Sequence, residues 1–306
     1  SWLFATAAMP AVVLFPRHRP KQRTDQLTVV QIPWTPSGAR THSFEVAPSD
    51  VITLTLDEIQ EQPLKLKAAA VGRLRDLLLL DDLTSAHRNL GEQLSLLDTT
   101  FQVGLIRGAP ENQTRDARPL KGLDVLQVKD MQHFNIPDDL PTFSQSKAQW
   151  PRSREIYQAP LLIVKEMLLG SPRVLAAVSE RDLVFTNSYF AVSLPRGHTR
   201  TAHLLATVLS SAFATWFFYL TAAEFGIYKR KLLARDLSFL PVPNFTSAVK
   251  SEAGQRLLQI EKNLRANGTD ERGWAELDEA VFDLYELNDA DRTVIRDGLL
   301  RAGWQW

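Results

Sequence analysis

At 306 residues, with 44% hydrophobic and 23% charged side chains, the chain has the make-up of an ordinary globular protein of two or three structural units. It has no cysteine, which excludes disulfides and thiolate metal sites and suits a reducing, cytoplasmic setting. The formal charge is zero, but residues 251–306 hold 12 acidic and 7 basic residues against 23 and 28 in residues 1–250, so positive charge lies ahead of an acidic tail.

Residues 11–15 and 27–32 are short apolar or β-branched runs, separated by the basic, proline-bearing PRHRPKQR, and are predicted as two buried strands. Two strands alone are marginal. With no initiator Met ahead of Ser1, they read as the end of a larger sheet in a chain that begins partway through a domain. Residues 33–63, rich in Pro, Ser and Thr, form a connector with an extended patch at 51–54. Two helical patterns follow from Pro63, broken near Thr84-Ser85, and make a helical spacer. From Phe101 the pattern turns β-like: FQVGLIRG, LKGLDVLQV, APLLIVKEML and DLVFTNSYFAVSL are apolar runs bounded by turn residues.

Between Thr201 and Ala223 there is no Asp, Glu, Lys or Arg. The length would suffice for a bilayer, which takes roughly 20 apolar residues. However, Leu204, Leu205, Val208, Leu209, Ala212, Phe213, Trp216, Phe217 and Leu220 recur on one helical face. His203, Thr207, Ser210, Ser211, Thr215 and Thr221 fall largely on the other. The stretch is therefore predicted as one long amphipathic core helix, and no membrane partner is expected. DLSFLPVPNF is predicted to be extended, because its prolines oppose a helix. Helices are predicted at 247–263, over DERGWAELDEAVFDLYEL, and after an Asn288 cap through Leu300.

The motifs of catalysis are missing. Neither GxxxxGKS nor GxGxxG occurs, no GxSxG elbow is present, and the six histidines show no zinc spacing. Asp81-Asp82 and Asp278-Glu279 read as solvated helix faces, and Ser210-Ser211 as hydroxyls bonded to carbonyls one turn back. What the chain offers is basic and hydrogen-bonding residues on turns. Arg107, Arg115, Arg118 and Lys121 surround Asn112 and Gln113; Lys147, Gln149, Arg152 and Arg154 bracket Trp150-Pro151. Arg196, His198 and Arg200 follow a strand, and Lys229, Arg230 and Lys231 form a basic linker. Arg and Lys neutralise phosphates, while Arg, Asn and Gln can read base edges. The expectation is that these turns converge on one electropositive groove.

The order of APLLIVKEM, DLVFTNSYFAVSL and HLLATVLSSAFATWFFYLTAAEFGIYKRKLLARDLSFLPVP resembles the target recognition domain of adenine-specific DNA methyltransferases. These serve bacterial restriction–modification and phage-exclusion systems of the BREX kind. FQVGLIRG resembles the opening of such domains, LDEAVFDLYELNDADRTVI their C-terminal ending, and the first two strands the close of the methyltransferase sheet. The resemblance implies an α+β chain. Residues 1–62 would end a methyltransferase-like α/β domain, 63–100 form a helical spacer, 101–246 recognise the target, and 247–306 make a helical C-terminal segment. It implies double-stranded DNA, and other restriction–modification or phage-exclusion subunits, as partners. The Asn/Asp-Pro-Pro-Tyr/Phe tetrapeptide and the glycine-rich S-adenosylmethionine loop are absent. Catalytic and cofactor residues are thus expected ahead of Ser1 in the parent protein, and this chain is expected to be inactive alone. The alternatives are a stand-alone specificity subunit, or a non-enzymatic interaction module docking through Trp304 and Trp306.

Overall fold

The computed structural model describes residues 25–31, 46–106, 114–168, 170, 172–226 and 230–303. The predicted strand at 11–15, the PRHRPKQR loop, Arg107, Asn112, Gln113, Lys229, Trp304 and Trp306 lie outside the described residues. Helix and sheet are mixed, as an α+β chain requires. No single described helix is long and apolar enough to cross a membrane.

β1 (Gln26–Val30) pairs antiparallel with β2 (Val51–Thr55), placing Leu27 opposite Leu54 and Val29 opposite Ile52. Ile52 and Leu54 are buried while Val30 and Val51 face outward, so this ladder is covered on one side only and β1 is not the buried strand expected. Thr55 and Glu58 then form a reciprocal capping box: the Thr55 hydroxyl accepts from the Glu58 amide at 3.1 Å, and the Glu58 carboxylate accepts from the Thr55 amide at 2.7 Å. That box starts α1 (Leu56–Glu61), followed by α2 (Lys65–Val71), α3 (Leu74–Ala86) and α4 (Leu90–Ser95). In place of two helices broken near Thr84-Ser85, residues 65–95 form three, and Thr84 and Ser85 lie within α3, which runs on to Ala86. α3 does not stand apart, for its buried Leu77, Leu80 and Leu83 join the main core.

The central sheet has the order β3 (Gln102–Val103), β10 (Tyr189–Ser193), β7 (Leu161–Lys165), β8 (Ala176–Ser179), with every neighbouring pair antiparallel. Its alternation explains why LLIV reads as an unbroken apolar run. Leu162, Val164, Phe190 and Val192 face the main core, while Leu161, Ile163, Tyr189 and Ala191 face a second, smaller core. The second core is closed by β5 (Asp124–Leu126), which runs parallel to β9 (Leu183–Phe185), and by Tyr157, Phe143 and Leu120. β4 (Arg115–Asp116) and β6 (Lys147–Ala148) form a small antiparallel ladder at its rim.

In place of one long helix there are two, α5 (Thr199–Ser210) and α6 (Ala212–Thr221), bent by 64° at Ser211. Both are buried almost all round, so the polar stripe does not face solvent. Thr207, Thr215 and Thr221 donate to carbonyls one turn back, at 2.6, 3.0 and 2.7 Å. Ser211 donates to the Val208 carbonyl at 2.7 Å and accepts from the Ala214 amide at 3.2 Å, ending one helix and capping the next. Ser210 departs from expectation: its hydroxyl is buried without a partner among the described residues.

Asp278 sits in the same notch. It is buried, not on a solvated face as its sequence context suggests. Its carboxylate accepts from the first amide of α6, Ala212, at 2.8 Å, and takes two bonds from Arg173 at 2.9 and 2.6 Å. Arg173 in turn donates to the Ser210 carbonyl at the end of α5, at 3.2 Å. The anion thus lies at a helix start and the cation at a helix end, where the backbone dipoles favour each.

α7 (Ala234–Ser238) takes up Asp236 to Ser238, against the expectation of an extended chain; only the chain beyond is extended, with Pro241 bridged to Asn89. After α8 (Phe245–Ala248) come α9 (Glu252–Asn267), α10 (Glu271–Leu284) and α11 (Asp289–Arg301). Each of the last three begins at a side-chain cap, on Ser251, Asp270 and Asn288 respectively, the last as predicted.

Candidate nucleic-acid interface

The β4–β6 ladder and its flanks bring together residues far apart in sequence. Arg115 pairs with Ala148 and Asp116 with Lys147, while Ile106 bridges Trp150 through amide–carbonyl bonds of 3.2 and 3.4 Å. At the centre stands Trp150, whose indole stays 44% exposed, a high value for so large an apolar ring. The Arg152 guanidinium lies 4.7 Å and that of Arg115 5.1 Å from its ring centre, both within cation–π range. Lys147 is exposed beside them, and Gln149 is half-buried.

The backbone holds this arrangement from behind. Arg152 has φ +63°, a left-handed conformation that a β-carbon makes costly, and the preceding Pro151 carbonyl accepts from the buried Tyr157 hydroxyl at 2.9 Å. Arg154 donates to the Pro119 carbonyl at 2.9 Å, tying the 147–157 segment to the turn that carries Arg118 and Lys121.

Segments 114–121 and 147–157 carry six cations against two carboxylates, Asp116 and Glu155. Arg118 spends its charge locally on Asp116, through bonds of 2.9 and 2.8 Å that hold the Asp116 carboxyl down at about 2. Arg115, Lys147 and Arg152 form no ion pair among the described residues. The Arg152 Nε is buried without a hydrogen-bond partner among them. Among the described residues no carboxylate competes for the exposed Arg115 and Lys147 charges, and the indole beneath the two guanidiniums keeps part of its surface open.

The other predicted residues lie elsewhere. Arg196 is exposed in the turn between β10 and α5, where Gly197 has φ +93°, and Arg200 donates to Gln255 on α9 at 2.5 Å. That turn follows Ser193, at one end of the β7–β10 ladder. Arg230 and Lys231 lie at the opposite end, bridged to Phe225 and Met167. Lys231 pairs with Glu166 at 3.3 Å and Glu224 at 4.0 Å. Instead of one groove lined by all four turns, the described residues present one dense cationic patch around Trp150. Trp150 itself, bracketed by the predicted residues, is the candidate that sequence reasoning leaves out; an exposed aromatic amid arginines is the available signal. Among the described residues no cluster of His, Asp and Glu is placed to hold a metal.

No protein-family model and no curated protein matches the chain. Its neighbours among solved structures are restriction–modification enzymes. One is the Type IIL restriction-modification enzyme MmeI, solved in complex with DNA, with 11% identity and a TM-score of 0.40 over 67% of this chain and 35% of that one. Another comes from a type I restriction–modification system, with 12% identity and a TM-score of 0.32 over 81% of this chain and 61% of that one. The chain thus spans less than two thirds of either neighbour.

Proposed function

We propose that the chain binds double-stranded DNA as the target-recognition part of an adenine-specific DNA methyltransferase of a restriction–modification or phage-exclusion system. Methyl transfer and S-adenosylmethionine binding would be supplied by the parent protein outside this chain. The observation that carries the proposal is the patch around Trp150. The guanidiniums of Arg115 and Arg152 and the Lys147 ammonium, with no ion pair among the described residues, gather at an exposed indole on a rim stiffened by Tyr157 and Arg154. Arg115, Lys147 and Arg152 would hold phosphates, and Gln149 would be the base reader nearest them. Lys231, engaged by two carboxylates, would contribute less.

Duplex binding by this patch releases counterions, so affinity must fall with salt. Anisotropy titrations of a labelled random-sequence duplex, at 50 to 200 mM salt, test it. The triple variant R115A/K147A/R152A is expected to flatten the slope of log K against log salt by up to about 2.7, or about 0.9 for each phosphate no longer neutralised. A slope equal to that of the parent chain overturns the assignment.

A further inference from the structure

A cleft of about 600 Å³ opens beside the Trp150 patch, lined by Gln127, Val128, Lys129, Lys165, Thr186, Asn187 and Ser188. None of these stands out in the sequence as a binding residue, although Asn187 and Ser188 belong to the FTNSYF run. The cleft occupies the same end of the β7–β10 ladder as Lys231. Thr186 bridges Leu105, the neighbour of the Ile106 that pairs with Trp150. On its other side, the Ser188 carbonyl accepts from the amide of Glu166, the partner of Lys231, at 2.9 Å. It therefore joins two basic regions that the sequence keeps apart.

Its lining defines what it would hold. Lys129 is exposed and forms no ion pair among the described residues; Lys165 reaches the rim and donates to the Val128 carbonyl at 3.0 Å, leaving two ammonium protons. The Thr186 hydroxyl is buried there without a partner among the described residues. Asn187 and Ser188 add an amide and a hydroxyl. Of the nearby carboxylates, Glu166 is paired with Lys231, while Asp130 accepts from the Gln127 amide at 3.3 Å and keeps its charge, so the two lysines outweigh it by one. Among the described residues the lining has no aromatic ring on which a base could stack, and its only apolar side chain is Val128. Two cations, hydroxyl and amide groups, and no stacking surface among the described residues suit a phosphate rather than a base.

We infer that this cleft is a second foothold for the nucleic-acid backbone, a phosphate site held by Lys129, Lys165 and Thr186. The inference extends the duplex-binding proposal and rests on it. Two strand spacings separate Thr186 from Trp150, about 10 Å of backbone. The two footholds thus lie close enough to grip nearby phosphates of one duplex.

The test uses the full chain and a fluorescent random-sequence 24-base-pair duplex. K129Q/K165Q is expected to raise Kd severalfold at 50 mM salt and to flatten the salt slope by about 0.9 for one phosphate released. T186V is expected to weaken binding without changing the slope, because it removes a donor and no charge. An unchanged slope in K129Q/K165Q, alongside a flattened one in R115A/K147A/R152A, overturns the cleft and leaves the Trp150 patch standing. The reverse pattern keeps the cleft and removes the patch. A parent chain with no salt-dependent duplex binding removes both. Should the Lys165 substitution lower the melting temperature, K129Q alone, at an exposed side chain, carries the same test, and an unaltered Kd and slope there overturn the cleft.

Discussion

Replacing Asp278 by Ala probes the notch between α5 and α6. The substitution leaves the Arg173 guanidinium buried without the carboxylate that holds it at 2.9 and 2.6 Å, and strips the Ala212 amide of its acceptor at 2.8 Å. Breaking a buried pair by removing one member costs about 3–5 kcal/mol, of which the lost helix cap is about 1 kcal/mol. Asn at the same position keeps an oxygen for Ala212 but not the charge, so D278N is expected to fall short of D278A by about the cap contribution. The double variant R173M/D278L removes both charges and is expected within about 1 kcal/mol of the parent, since a hydrophobic replacement of a buried pair is often neutral. Urea unfolding of these chains, with R173M and D278L added as the two singles that complete a double-mutant cycle with R173M/D278L, supplies the numbers. A loss below about 1 kcal/mol in D278A would refute the idea that this pair fixes the helix break.

Two further outcomes are expected. His133 packs edge-on against Trp274 at 4.8 Å, and burial, followed by the nearby Arg173 charge, depresses its pKa to about 4. The unfolded chain takes up this proton near 6.5 and the folded chain only near 4, so stability is full above pH 6.5 and is lost as the pH falls toward 4. At about 1.36 kcal/mol per unit the loss reaches at most roughly 3 kcal/mol; His133→Phe should flatten urea midpoints between pH 7.5 and 5, and an unaltered slope would count against it. Gly104 lies against β9 so closely that a β-carbon would stand 2.2 Å from the Phe185 carbonyl oxygen and 2.5 Å from that of Thr186. Gly104→Ala is expected to cost about 1–3 kcal/mol and to speed hydrogen exchange at the Leu105 and Asn187 amides; unchanged exchange would mean the strands part without loss.

The elements legible in the sequence are those whose cause is local. Asn288 caps α11 through its own next residues, and the LLIV run announces a strand covered on both faces because alternate side chains enter different cores. The break at Ser211 is hidden, since the helical periodicity continues through it, its capping serine reads in sequence like any helical serine, and the Asp278 carboxylate that also accepts from Ala212 comes from 66 residues away. Asp278 misleads for the same reason: its partner Arg173 is 105 residues distant. The proposed binding residues are legible in kind and not in grouping. Arg115, Lys147, Arg152 and Trp150 each look like surface residues until the pairing of Ile106 with Trp150 and Arg115 with Ala148 assembles them. Lys129 and Lys165 meet through the fold alone.

A sheet that lends one face to each of two cores also limits how the protein can be cut. A fragment carrying only the smaller lobe with Trp150 would keep β7 and β10 for their Ile163 and Ala191 but leave Leu162, Val164, Phe190 and Val192 bare to water. Such a piece would aggregate through that greasy reverse side. Anyone wishing to transplant the proposed DNA-binding rim onto another scaffold must carry along α5, which packs on β7 and β8, or repaint those four positions with polar side chains first.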